Sequence, residues 1–256
     1  MAVAKNSFSY LLFAGLMFLL TILTSCTRDA SQPVRALLIT GGGWHDYVTQ
    51  ERLLIDGINE RMGERVIEWT IIHEGDTQPD HHVSVLQQPN WTEGYDIIVH
   101  NTGFGRVTDP GYVAHLVEHH KGTPALLIHA AVHSYRYAEP ADPWFGFTGV
   151  QSMWHEGQRP SEVENIAPEH PIMQGSPEKW ITPDDEIYVV EELWGEITPL
   201  ARAWGEETGE YHPVAWTHEN EGVKVFATTL GHNNEIFERE EFLNMIANGF
   251  IWAVDR

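Results

Sequence analysis

Three short segments, far apart in the chain, each set a histidine just beyond an apolar run. His45 follows VRALLITGGG and Trp44, His129 follows ALLI, and His232 follows VKVFATTL and Gly231. Imidazole is the side chain that moves a proton or holds a metal near neutral pH. The chain has fifteen histidines, and for most of them a surface or packing role is the plainer reading. His81 and His82 fall in a polar loop, and His119 and His120 at a helix end. The other three differ because ligands in open α/β sheets bind beyond the carboxyl ends of the strands. His45, His129 and His232 are therefore expected to share one site, as acid–base groups or as ligands of a divalent metal such as zinc. Glu186, in the run Asp184-Asp185-Glu186, is the carboxylate expected to join them. Trp44, Asp46, Trp154, His155 and Tyr188 are expected to bind substrate around this centre. Exposed aromatics beside acids and histidines suit sugar rings, whose C–H faces stack on them.

The positioning elements follow from periodicity. Val34–Thr40 is a short apolar run ending in three glycines, the pattern of a buried parallel strand followed by a tight turn. Leu53, Leu54, Ile58 and Met62 recur at helical spacing within Gln50–Met62, and Gly63 ends that segment. Val66–His73 alternates as a strand does. Tyr95–His100 is another buried run, broken by Asn101-Thr102-Gly103, a fourth tip at the same sheet edge. Pro110 suits a helix start, with the helix running to Lys121, and Ala125–His129 is the next strand. This β-α-β-β-α-β rhythm predicts a doubly wound, mostly parallel sheet flanked by helices, of the flavodoxin-like kind. Ala138–Pro183 is rich in Pro, Gly and Trp and reads as an elaborated loop region with short strands walling the site. Glu186–Val190, Pro199–Trp204, Val214–Thr217 and Val223–Thr228 are further strands, and Arg239–Trp252 is a closing amphipathic helix.

Composition removes several function classes. Lys5 is the only charge before Cys26, and Tyr10–Leu23 is almost wholly apolar. That is the layout of a secretory signal over residues 1–25. Its removal leaves 14 basic residues against 37 acidic ones, a net charge of −23, which repels phosphate backbones and argues against nucleic acid as a partner. Cys26 is the sole cysteine, so an internal disulfide, a zinc site built on cysteines and a second thiol nucleophile are all excluded. Leu23-Thr24-Ser25-Cys26 resembles a bacterial lipobox, which predicts lipidation at Cys26, a polar tether over residues 26–33 and anchorage to a membrane of the bacterial cell envelope, outside the cytoplasm. There is no P-loop, dinucleotide fingerprint, Gly-x-Ser-x-Gly elbow or His-Glu-x-x-His.

Several motifs in order carry a family resemblance across Val34 to Trp252. They are the glycine turn into His45-Asp46, Leu127-Ile128-His129-Ala130-Ala131, His170-Pro171-Ile172, Asp185-Glu186-Ile187-Tyr188, Pro213-Val214-Ala215-Trp216-Thr217, Leu230-Gly231-His232 and Asn248-Gly249-Phe250-Ile251-Trp252-Ala253. The chain resembles the ThuA-like, or trehalose-utilisation, family, whose fold is similar to class I glutamine amidotransferases. The resemblance implies one ThuA-like domain over residues 34–256 and a role in carbohydrate catabolism, including routes through 3-keto sugars. It does not carry the amidotransferase mechanism, because His129 stands where those enzymes place a nucleophilic cysteine.

Three readings follow for a small carbohydrate partner. The first is an enzyme acting on a sugar or 3-keto-glycoside by hydrolysis, elimination or isomerisation. The second is a sugar-binding lipoprotein without turnover, and the third a structural or partner-binding lipoprotein whose histidines are incidental. Several titratable groups meeting in one pocket favour the first, an aromatic cleft without them the second, and a large apolar patch without a cleft the third.

Overall fold

The computed structural model describes Met1, residues 32–120 and residues 122–255. The expected signal, Cys26 and most of the tether lie outside the described residues.

Strand β1 (Val34–Gly42) pairs in parallel with β2 (Ile67–His73) on one side and β3 (Ile97–Gly103) on the other. Beyond β3 come β4 (Ala125–Ile128) and, after a long excursion of the chain, β11 (Val223–Thr228), both still parallel. Every residue of β3 and β4 is buried, as strands covered on both faces require. Alternate residues feed two cores. Leu38, Val99 and Leu126 face helices α1 (Tyr47–Arg61) and α5 (Glu240–Val254). Leu37, Ile98 and Leu127 face α2 (Pro110–His119) and the short α4 (Asp142–Thr148). Between β4 and α4 lies one helical turn, α3 (Ala130–His133).

The sheet then continues in antiparallel fashion, which the β-α-β rhythm did not reveal. β10 (Tyr211–Asn220), β9 (Ile197–Trp204), β6 (Glu162–Asn165) and β7 (Lys179–Ile181) follow β11 in that order to complete nine strands. β10 and β6 run against the common direction and β9 and β7 with it. A separate two-stranded ribbon pairs β5 (Val150–Gln151) with β8 (Glu192–Leu193). The expected strand at Glu186–Val190 is instead an extended strap outside the sheet. It crosses residues 154–159 through isolated bridges, His155 to Tyr188 and Arg159 to Asp185. Asp185 to Val189 are buried in succession without alternation, so the strap is packed on both sides rather than laid on a core. Among the described residues no helix is long and apolar enough to cross a membrane.

Candidate active site

The carboxyl ends of β1, β4 and β11 open on one cavity of about 430 Å³. The chain leaves β1 through glycines because the backbones nearly touch. Gly42 has φ 113°, and a Cβ there would lie 2.6 Å from the carbonyl carbon of Gly103, closer than real side chains approach. Asp46 then caps α1, accepting from the Thr49 amide, and its other oxygen accepts from Asn234 Nδ2. It lies off the cavity, so the residue read as a substrate contact serves as a helix cap.

The three strand-tip histidines meet. Ring centroids are 4.8 Å apart for His45 and His129, 4.9 Å for His45 and His232, and 5.4 Å for His129 and His232. His129 sits at φ 49°, ψ −112° on the sharp turn from β4 into α3. A non-glycine residue is held in such a conformation only when its surroundings over-determine it, and such positions gather at functional sites. Gly231 accommodates it, since a Cβ at that position, at φ 134°, would come within 2.9 Å of His129 Cβ.

Backbone carbonyls fix two of the rings. His45 Nδ1 donates to the His232 carbonyl at 3.1 Å, and His129 Nδ1 donates to the Thr229 carbonyl at 2.6 Å. A carbonyl only accepts, so both neutral rings carry their lone pair on Nε2. Buried Gln50 braces the same loop, donating to the carbonyls of Gly231 and His232 and accepting from Asn101. Burial, followed by the charge of His232, lowers His45 to about 4. Burial, followed by His45, takes His129 well below the ordinary imidazole value.

Glu186 completes the cluster. Its carboxylate lies 3.1 Å from His232 Nδ1 and 3.6 Å from both His129 Nε2 and His155 Nδ1, and accepts from Gln158 at 3.3 Å. The approach to His232 is out of line for a hydrogen bond, which leaves that buried nitrogen without an in-line partner. Burial opposes the charge on Glu186, but His232, His129 and His155 outweigh it and hold the carboxyl near 2. Burial likewise opposes the charge on His232, and Glu186 with Asp185 overcomes it, so His232 is raised. Glu186 thus stays ionised and favours a proton on His232, while burial favours neutral rings at His45 and His129.

Tyr188 faces His129, its hydroxyl 3.3 Å from Nε2, and stacks on His133 with centroids 3.6 Å apart. Burial holds Tyr188 protonated, well above its usual range, so it is the donor of that pair. Of the residues expected on the walls, Trp44, His155 and Tyr188 line the cavity. Trp154 does not; its carbonyl accepts from Val189 of the strap. His129 lies just beneath the lining, 1 % exposed. His133, Arg136 and Gln158 line the cavity without having been singled out from the sequence. His133 could have been, since it falls one helical turn after His129; Arg136 and Gln158 stand in irregular segments that carry no periodic signal. Asp185 was passed over in favour of its neighbour. It is fully buried and accepts from the amides of Glu186, Gly231 and His232, tying the strap to the β11 tip.

His45, His129 and His232 each offer a ligand atom, all within 4.8 Å of one another. Two nitrogens bound to one ion at roughly 2.0–2.1 Å stand no more than about 4.2 Å apart. The donor set therefore fits a divalent ion once the widest pair closes by about half an ångström, a small ring rotation. The carbonyl-anchored Nδ1 atoms and the in-line vacancy at His232 Nδ1 suit such a set. As they stand, the separations match acid–base groups arranged around a substrate.

The chain matches the family model for trehalose utilisation, ThuA, over residues 35–253. It belongs to the ThuA family. Solved structures share its fold. A ThuA-like protein from Parabacteroides merdae is 19% identical with a TM-score of 0.66, the match covering 87% of this chain and 90% of that one. A ThuA-like protein from Bacteroides uniformis is 15% identical at 0.64, covering 89% and 94%. A GMP synthase subunit from Thermoplasma acidophilum is 14% identical at 0.51, covering 86% and 96%, which fits a glutamine amidotransferase-like fold. No curated protein matches the chain. Membership of this family implies a role in trehalose utilisation.

Proposed function

We propose that this ThuA-family chain is an enzyme of carbohydrate catabolism that moves a proton next to the carbonyl of a keto-sugar, a 3-keto-glycoside being the substrate class. The observation that carries the reading is the meeting of His45, His129, His232 and Glu186 at one cavity. Proton abstraction beside a ketone needs a neutral base at the carbon and a donor at the carbonyl oxygen. His45 and His129 are neutral with Nε2 as the lone-pair nitrogen. His232, on which Glu186 favours a proton, is the N–H donor, and Tyr188 supplies a second donor, an O–H, beside His129. Exposed Trp44 at the mouth offers a flat face for the sugar ring. His45, His129 and His232 would hold a divalent ion, and such an ion supplies Lewis-acid polarisation of a carbonyl oxygen. Isomerisation, elimination of the glycosidic group, and net hydrolysis by that elimination followed by addition of water to the resulting enone all begin from the same proton abstraction.

The test incubates metal-stripped and zinc-supplemented protein with 3-keto-glycosides and follows products by chromatography. Consumption by wild type and none by His232→Ala supports the reading. Tight binding without consumption in either metal state would instead make this a sugar-binding protein. The resemblance of Leu23-Thr24-Ser25-Cys26 to a lipobox, and that alone, supports anchorage of the protein through Cys26 to a membrane of the bacterial cell envelope, outside the cytoplasm. Cys26→Ser should release it from the membrane fraction, and retention there would refute the anchor.

A further inference from the structure

Nine arginines lie among the described residues, and seven have a carboxylate oxygen within 4.0 Å. In a chain with 37 acidic residues against 15 basic ones, that is the expected condition of a guanidinium. The two exceptions, Arg106 and Arg136, both stand at the cavity. Arg106 lies over the face of Trp44, 5.7 Å from the ring centroid, and Trp44 is part of the cavity wall. Arg136 lines the cavity itself.

The surroundings of Arg136 leave it unsatisfied. Its guanidinium rests 5.2 Å over the ring of Tyr137, which orients the plane without neutralising it. One terminal nitrogen reaches the His133 carbonyl at 3.5 Å, the outer limit of a hydrogen bond, and Nε is buried with no partner among the described residues. Glu186, the carboxylate of this cavity, is turned to His129, His155 and His232 instead. A guanidinium keeps its proton at any ordinary pH, and its planar fork of donors matches a carboxylate or a phosphate through two parallel hydrogen bonds. The net charge of −22 makes the molecule as a whole repel anions. An uncompensated cation held inside the site reverses that locally.

We propose that the cavity takes a glycoside bearing an anionic group, and that this group is received by Arg136. The proposal rests on the carbohydrate reading above and adds the charge class of the substrate. Carboxylate and phosphate share the recognising chemistry, and a sugar acid and a sugar phosphate form separate arms of the test.

Calorimetric titration of the full chain with methyl β-D-glucuronide, glucose 6-phosphate and methyl β-D-glucoside provides that test. One of the two anions should bind about 10- to 100-fold more tightly than the neutral glycoside, the effect of one charge-assisted pair. Arg136→Gln should erase the preference while neutral-glycoside binding persists, which also reports that the variant is folded. Should Arg136→Gln lose all binding, Arg136→Lys decides, since it keeps the charge without the fork and should retain a reduced preference. Equal binding of charged and neutral glycosides by wild type, no binding of either, or a preference unmoved in both variants would overturn the proposal. Its failure is separable from that of the enzyme reading. Neutral 3-keto-glycosides consumed without any anion preference would remove only the role of Arg136. Anion binding through Arg136 without turnover of any keto-sugar would remove only the enzyme.

Discussion

Replacing Glu186 by Gln keeps the shape of the site and removes the carboxylate that faces its histidines. In the wild type the carboxyl falls from 4.5 to about 2, with the neighbouring His232 first among the compensating groups. At roughly 1.4 kcal/mol per pKa unit, that shift corresponds to at most about 3 kcal/mol of folding stability. A carboxyl whose folded pKa is depressed contributes stability that is fully present above its unfolded pKa and is lost as pH falls through the folded one. The contribution should therefore be complete above about pH 4.5 and gone near pH 2. Urea unfolding of metal-stripped wild type and Glu186→Gln should show the wild type more stable by up to about 3 kcal/mol at pH 7, the gap closing through that acid window. The His232 ring, raised in the wild type by Glu186, should titrate lower in the variant by NMR. A stability gap that is the same at pH 7 and pH 2.5, or a His232 titration unmoved by the substitution, would refute the assignment of Glu186⁻ and His232⁺ as a pair.

Gly231→Ala sets a Cβ against His129 at a positive φ, and should lose turnover together with about 1–3 kcal/mol of stability by urea unfolding. His129→Ala leaves the Thr229 carbonyl without its buried donor; it should abolish turnover and cost about 1–3 kcal/mol, whereas His81→Ala, whose ring pairs with Glu74 and does not line the cavity, should retain turnover. His100 and His120 form a buried pair, Nε2 to Nε2 at 3.1 Å, away from the site. Burial keeps both neutral, His120 down to about 4, so folding should weaken as pH drops from 6.5 toward 4, where the unfolded chain binds the extra protons. Stability measured across that range should fall less steeply in the His100→Leu, His120→Leu double variant, and an unchanged slope would contradict this origin.

The parallel half of the sheet was legible because its central strands β1, β3, β4 and β11 are largely buried on both faces. ALLIT, IIV, ALLI and VFA are short apolar runs, and that signal survives any choice of partner. The antiparallel half was less so. β6 and β7 have four and three residues, and their place at the sheet edge is set by the pairing of β6 with β9, a contact remote in sequence, and of β7 with β6. The strap at Glu186–Val190 looked like a strand because its residues are buried, but burial there comes from packing between loops. His45, His129 and His232 could be placed because a strand tip is a position as well as a residue. Arg136, Gln158 and Asp185 could not, since their roles depend on the course of the chain after His129 and on where the strap crosses the β11 tip. Asp46 and Trp154 were drawn in by adjacency to His45 and His155, and adjacency in a loop does not fix the direction of a side chain.

The central claim is that the histidine cluster takes a proton from carbon next to a sugar ketone. Proton NMR of methyl 3-keto-α-D-glucopyranoside in D₂O measures that step directly, whether or not a product is released. The account predicts that wild-type protein exchanges a ring proton adjacent to the ketone for deuterium faster than buffer does, and that His129→Ala and His232→Ala fall to the buffer rate. Equal rates for wild type and buffer, with a bound sugar visible in the same tube, would contradict it.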